Sequence, residues 1–153
     1  MLTVGGGIVS ADPLHDGVAA AERGDYTTAL RLIRPLAEGG DALAQSQLGF
    51  MYYQGQGVTQ DNREAVKWYR LSAEQGNAFG QYHLGLMYAE GKDILHAYMW
   101  LNLAASNLRG EEGQKAVTAR DDVAKRLTAQ QIERAQEMTR HCSARATYFE
   151  SCE

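Results

Sequence analysis

The chain has 153 residues, 44% of them hydrophobic and 22% charged, with a formal net charge of −4. That balance describes a single globular domain, able to bury roughly 70% of its unfolded surface without a metal or disulfide. It gives no clustered Lys/Arg footprint for nucleic acid, and no apolar run approaches the roughly 18 residues of a transmembrane helix.

Residues 1–11, MLTVGGGIVSA, are small and apolar, and Val9-Ser10-Ala11 resembles the end of a secretory signal. The first basic residue is Arg23, so a positive n-region is missing. The stretch reads as a leader or signal-peptide remnant whose start lies upstream, with a plain leader as the alternative. Gly5-Gly6-Gly7 has no Lys-Ser/Thr behind it and is not a phosphate loop.

Residues 12–40 hold two helical patterns. The first carries Val18 and Ala21, with Pro13 suited to a first turn and Gly24 to a stop. The second places Ala29, Leu32, Ile33, Leu36 and Ala37 on one face, and Pro35 within it predicts a kink or a local loss of hydrogen bonding. Residues 41–77 repeat the scheme more clearly. Asp41 caps a helix through Ala44, Leu48, Gly49 and Tyr52, and Gly55 and Gly57 end it. A glycine inside a helix costs about 1 kcal/mol against alanine, so Gly49 predicts a close helix–helix approach. Asp61 and Glu64 have capping-box spacing, opening a helix that buries Ala65, Trp68, Tyr69 or Leu71, and Ala73 before Gly76.

Residues 78–110 follow the same plan. Leu84, Gly85, Tyr88 and Gly91 sit 36 residues after Leu48, Gly49, Tyr52 and Gly55. Ala97, Trp100 and Ala105 sit 32 after Ala65, Trp68 and Ala73, so the loop has lost four residues while both helices keep their faces. Residues 111–141 change character and read as capping helices with one polar face, Thr128 capping the second. Residues 142–153 read as a tail. The only cysteines, Cys142 and Cys152, form either a disulfide in an oxidising compartment or two free thiols. With His141 alone beside Cys142, a structural zinc site lacks its ligand set.

The pattern AxAQxxLGxxYxxGxGV at Ala42 to Val58, continued by Asp61, Ala65, Trp68-Tyr69, Ala73 and Gln75-Gly76, resembles the Sel-one-like repeat family, a relative of the tetratricopeptide repeats. The resemblance covers about Asp25 to Ser106. It implies an all-α, right-handed α-solenoid of about three helix-turn-helix repeats with a C-terminal cap, used for protein–protein contact, often in bacterial periplasmic or membrane-associated settings. The structural repeat positions are then Leu48, Gly49, Tyr52, Ala65, Trp68, Leu84, Gly85, Tyr88, Ala97 and Trp100.

In tetratricopeptide-like stacking the first helix of each unit lines the concave face. Leu43, Ser46, Phe50 and Tyr53 then share one stripe, with Phe79, Tyr82 and Leu86 beside it. An apolar stripe of this kind marks a binding surface unless the C-terminal helix or the next repeat covers it. No catalytic constellation is present: His15, His83, His96 and His141 are isolated, no HExxH or GxSxG occurs, and Glu111-Glu112 and Asp121-Asp122 read as solvated faces. The expectation is a non-enzymatic scaffold that needs no cofactor or metal and binds a peptide or helix of another protein, in the periplasm or secreted. The alternatives are self-association through the same stripe, a cell-envelope enzyme of the cysteine-rich repeat type, and a cytoplasmic location. No repeat contains a cysteine, which argues against the enzyme.

Overall fold

A computed structural model describes residues 12–144, all helix and turn, with no strand among them. The helices are α1 Pro13–Glu22, α2 Tyr26–Glu38, α3 Ala42–Gln54, α4 Asn62–Glu74, α5 Ala78–Glu90, α6 Ile94–Asn107, α7 Gly110–Ala124 and α8 Ala129–Ala144. The first six begin at Asp12, Asp25, Asp41, Asp61, Asn77 and Asp93, whose side chains accept the free N–H groups of the first turn. Asp61 makes only half of the expected capping box, because the Glu64 carboxylate turns away to Lys67. Thr128 makes a full one, with Gln131 N–H donating to its hydroxyl and its own N–H donating to the Gln131 side chain.

Pro35 lies inside α2 without ending it: the helix runs three residues further, to Glu38. The ring removes the one bond that an N–H at this position would give to the Arg31 carbonyl, and only three residues of helix follow it. The loop after α5 also departs from the sequence expectation. Gly55 takes the left-handed conformation with φ 69°, whereas Gly91 stays right-handed and Lys92 takes φ 67°. Shortening the loop moves the reversal one residue along.

Consecutive helices from α1 to α7 pack as antiparallel neighbours, and α3 also touches α5 while α5 touches α7. Those contacts put α3, α5 and α7 in one layer, the inner one, which α1 opens by the same alternation, and α2, α4 and α6 form the other. The two layers interlock where glycines admit a neighbour. A Cβ at Gly49 would meet the Tyr69 ring at 2.8 Å, and one at Gly85 would meet Leu101 Cγ at 2.7 Å. Tyr69 and Leu101 are equivalent positions 32 residues apart, so both units use the same wedge.

The C-terminal pair divides. α7 continues the inner layer, while α8 lies against α6 and buries Ala135 and Cys142 there. Consequently Ala97, Tyr98, Met99, Trp100 and Leu101 are five successive buried residues of α6, which is wrapped on every side there. Cys142 continues α8 rather than opening a tail, with its sulfur 3.8 Å from that of Met99. Cys152, the rest of the expected tail and the leader at 1–11 lie outside the described residues.

Candidate protein-interaction groove

Two hydrogen-bond ladders set the spacing of the inner helices. Gln45 donates from Nε2 to the Ala37 carbonyl at 3.2 Å, and Gln81 donates likewise to the Ala73 carbonyl at 3.4 Å. Each glutamine oxygen in turn accepts from the end of its own repeat, Gln75 at 2.7 Å and Asn107 at 3.2 Å. One buried amide therefore ties the helix before it to the helix after it. The second ladder runs through Arg34 to the Tyr52 hydroxyl and Arg70 to the Tyr88 hydroxyl. Arg120 of α7 donates to Asn102 of α6 at the corresponding positions, with donor and acceptor exchanged between the layers.

This frame decides where each repeat residue falls. Leu48, Ala65, Leu84, Ala97 and Trp100 are buried, as are Gly49 and Gly85. Tyr52, Trp68 and Tyr88 are only half-buried, since Tyr52 and Tyr88 reach outward to their arginines and the Lys67 ammonium lies 5.5 Å over the Trp68 ring.

Among the stripe residues, Leu43 and Phe79 are exposed, at 42% and 41%. They occupy equivalent positions in α3 and α5. Phe50 and Tyr53 are half-buried against the core of the second and third repeats, and Tyr82 and Leu86 are half-buried against a cluster that includes Ala119 of α7. Ser46 is a correction: it is 4% exposed, and its hydroxyl donates to the Leu43 carbonyl at 2.8 Å, so it takes no part in an open surface. The covering helix is also settled in part. α8 packs on α6 rather than on α3 or α5, and α7 borders the stripe at Tyr82 and Leu86 without reaching across it.

At the middle of the stripe, three rings surround His83. Its imidazole stacks on Tyr69 with centroids 5.0 Å apart and planes at 13°, meets Tyr82 edge-on at 5.2 Å and faces Phe50 at 6.0 Å. Burial among these rings lowers the His83 pKa, and the Glu112 carboxylate on α7 partly opposes that shift. At one rim the Tyr53 hydroxyl donates to Glu90 at 3.3 Å, and the charge of Glu90 holds the phenol protonated to higher pH. Beyond Tyr82, a depression of about 510 Å³ is lined by Glu111, Lys115, Ala119 and Asp122 of α7.

Such a surface can hold apolar side chains between α3 and α5. Among the described residues no group of three His, Cys, Asp or Glu is placed to hold a metal, and no helix is long and apolar enough to cross a membrane. Sequence reasoning had missed Gln45 and Gln81, although their 36-residue spacing inside the repeat pattern was a visible signal. The burial of His83 left no such trace.

The Sel1 repeat family profile matches residues 42–77 and 78–107. Among solved structures, the chain is similar to a protective antigen present in uropathogenic Escherichia coli strains that displays an SLR fold, at 27% identity and TM-score 0.80. That likeness covers 88% of this chain and 30% of the antigen, so the chain spans less than a third of its length. A Sel1 repeat protein from Oxalobacter formigenes is 31% identical with TM-score 0.56, over 71% of this chain and 97% of that one. No curated protein matches the chain.

Proposed function

Because the chain belongs to the Sel1 repeat family, whose members are in general protein-interaction scaffolds, we propose that it holds a peptide or helix of a partner protein along α3 and α5, without catalysis. The observation that supports this reading is the pair Leu43 and Phe79. Two large apolar side chains stand exposed at equivalent places on adjacent inner helices, with half-buried Phe50, Tyr53, Tyr82 and Leu86 between and beside them. Buried apolar anchors at the centre of a groove supply most of the affinity of such complexes.

The test is the double substitution Leu43→Ser with Phe79→Ser, at exposed positions that leave the core intact. Partner capture from the source organism drops at least tenfold while the circular-dichroism melting curve stays in place. Undiminished capture by that variant would sink the groove. Self-association through the same stripe would appear instead as a mass that grows with concentration in light scattering.

The proposed setting is periplasmic or secreted, with Cys142 bridged to Cys152. Intact-mass analysis of native protein with two alkylatable thiols and an unprocessed Met1 would refute it.

A further inference from the structure

Phe50 of α3, Tyr69 of α4 and Tyr82 of α5 come together through one side chain, because each of these ring contacts is made with the His83 imidazole. Tyr69 is the ring wedged against Gly49 of α3, and its buried hydroxyl has no hydrogen-bond partner among the described residues, so packing alone places it. His83 is thus a joint between three helices at the middle of the stripe. It is also the one member of the cluster that gains a charge as pH falls from neutral to about 5.

The surroundings offer that charge little. Neither ring nitrogen has a hydrogen-bond partner among the described residues. α3 carries no charged residue, and the Tyr69 and Tyr82 phenols stay neutral in this range. On α4 the charged neighbours closest to Tyr69 in sequence point elsewhere, Lys67 to Glu64 and Arg70 to the Tyr88 hydroxyl. On α5 the other charge is Glu90, two turns further on and accepting from Tyr53. On α7 Glu112 favours the proton, but its carboxylate lies 2.9 Å from Lys115 Nζ. A cation is attracted to the Tyr69 face, yet by less than the hydration it loses when buried without an acceptor. Burial accordingly lowers the His83 pKa.

We propose that His83 is a pH-operated joint: on gaining a proton its imidazole leaves the Phe50, Tyr69 and Tyr82 rings for water, and α3 and α5 loosen at the stripe while the solenoid stays folded. The opening is local because Ser72 bonded to the Ala42 carbonyl and Gln81 bonded to the Ala73 carbonyl tie α3 and α5 to α4 without His83. The joint rests on the ring cluster and not on what the groove holds.

The experiment titrates the isotope-labelled full chain by NMR from about pH 7.5 to about 5. The Overhauser contacts from the His83 ring to Phe50 and Tyr69 fade in step with its titration, while the amide pattern of the helices persists. Glu112→Gln moves the midpoint to lower pH, since it removes the carboxylate that favours the proton. Nile red, a neutral apolar dye, brightens at least about twofold on the native protein over this range and not on His83→Phe, which keeps a ring but takes no proton. Should His83→Phe fail to fold, the Overhauser contacts and Glu112→Gln decide the matter. Contacts to Tyr69 that persist once the imidazole has titrated, or an imidazole that titrates only when the helical amide pattern collapses, would overturn the joint. Either result leaves the groove standing, because Leu43 and Phe79 make none of these ring contacts.

Discussion

At the scale of single residues, two positions show how tightly the repeats are made. Gly80 has no room for a side chain: a Cβ there would lie 2.6 Å from Ser72 Oγ and 2.8 Å from the Ala73 nitrogen, which is backbone and cannot swing aside. The same Ser72 hydroxyl donates to the Ala42 carbonyl at 2.5 Å, so pushing it away also breaks a bond between α4 and the start of α3. Gly80→Ala gains up to about 1 kcal/mol of helix propensity but costs about 1–3 kcal/mol in overpacking and more in the lost bond. The net loss is read as a lower urea midpoint. His83 is the second position. Its folded-state pKa lies below the unfolded value of about 6.5, so the unfolded chain takes the proton first as pH falls. The stabilisation from a neutral His83 is complete above that value and drains away below it. Phe50, Tyr69 and Tyr82 around the ring carry no charge to receive the proton, and only Glu112 on α7 opposes the loss. Between pH 7.5 and 5 the native protein loses more melting temperature than His83→Gln; parallel profiles would show that the buried imidazole does not titrate unfavourably.

At the scale of elements, the amide ladder rather than apolar packing alone fixes the register of one repeat on the next. Removing one member strands the other in a dry place, which costs about 1–3 kcal/mol, whereas removing both with apolar isosteres is nearer neutral. Gln45→Leu and Gln75→Leu are therefore expected to be coupled, the double variant being less destabilised than the two singles added together. Additive urea-denaturation energies would mean that the ladder is incidental. Much of this architecture could be read in advance. The 36- and 32-residue offsets of Leu48, Gly49 and Trp68 identify stacked repeats, because an amphipathic pair with a missing neighbour recurs until its face is closed. The place of α8 could not be read, since Ala135, Met138 and Cys142 make an ordinary apolar stripe that says nothing of which helix receives it. Ser46 shares its face with Leu43 and Phe50 by spacing, yet its backbone-bonded hydroxyl sits at the crowded edge where α3 meets its neighbours, a tertiary fact with no local signature. Gly91 matched Gly55 by offset, but the shorter loop handed the left-handed turn to Lys92.

At the scale of the molecule, two of the three exposed large hydrophobic residues among those described, Leu43 and Phe79, stand on the layer of α3 and α5. The cap agrees with that placement: α8 seals α6 in the outer layer and leaves α3 and α5 uncovered by it. Leu71 provides a natural control, because it is 39% exposed, nearly as much as Leu43 and Phe79, but stands on α4 in the outer layer. Its counterpart 32 residues on, Leu103, is buried in the cluster that also holds Cys142. If binding followed apolar exposure alone, all three leucine and phenylalanine positions would serve equally; if it follows the groove, Leu71 stays silent. Replacing each in turn by a photo-crosslinking amino acid and irradiating the protein with its partner-containing extract measures this directly. The account predicts the same partner adduct from positions 43 and 79 and none from position 71. An adduct from position 71 with none from the other two would contradict it.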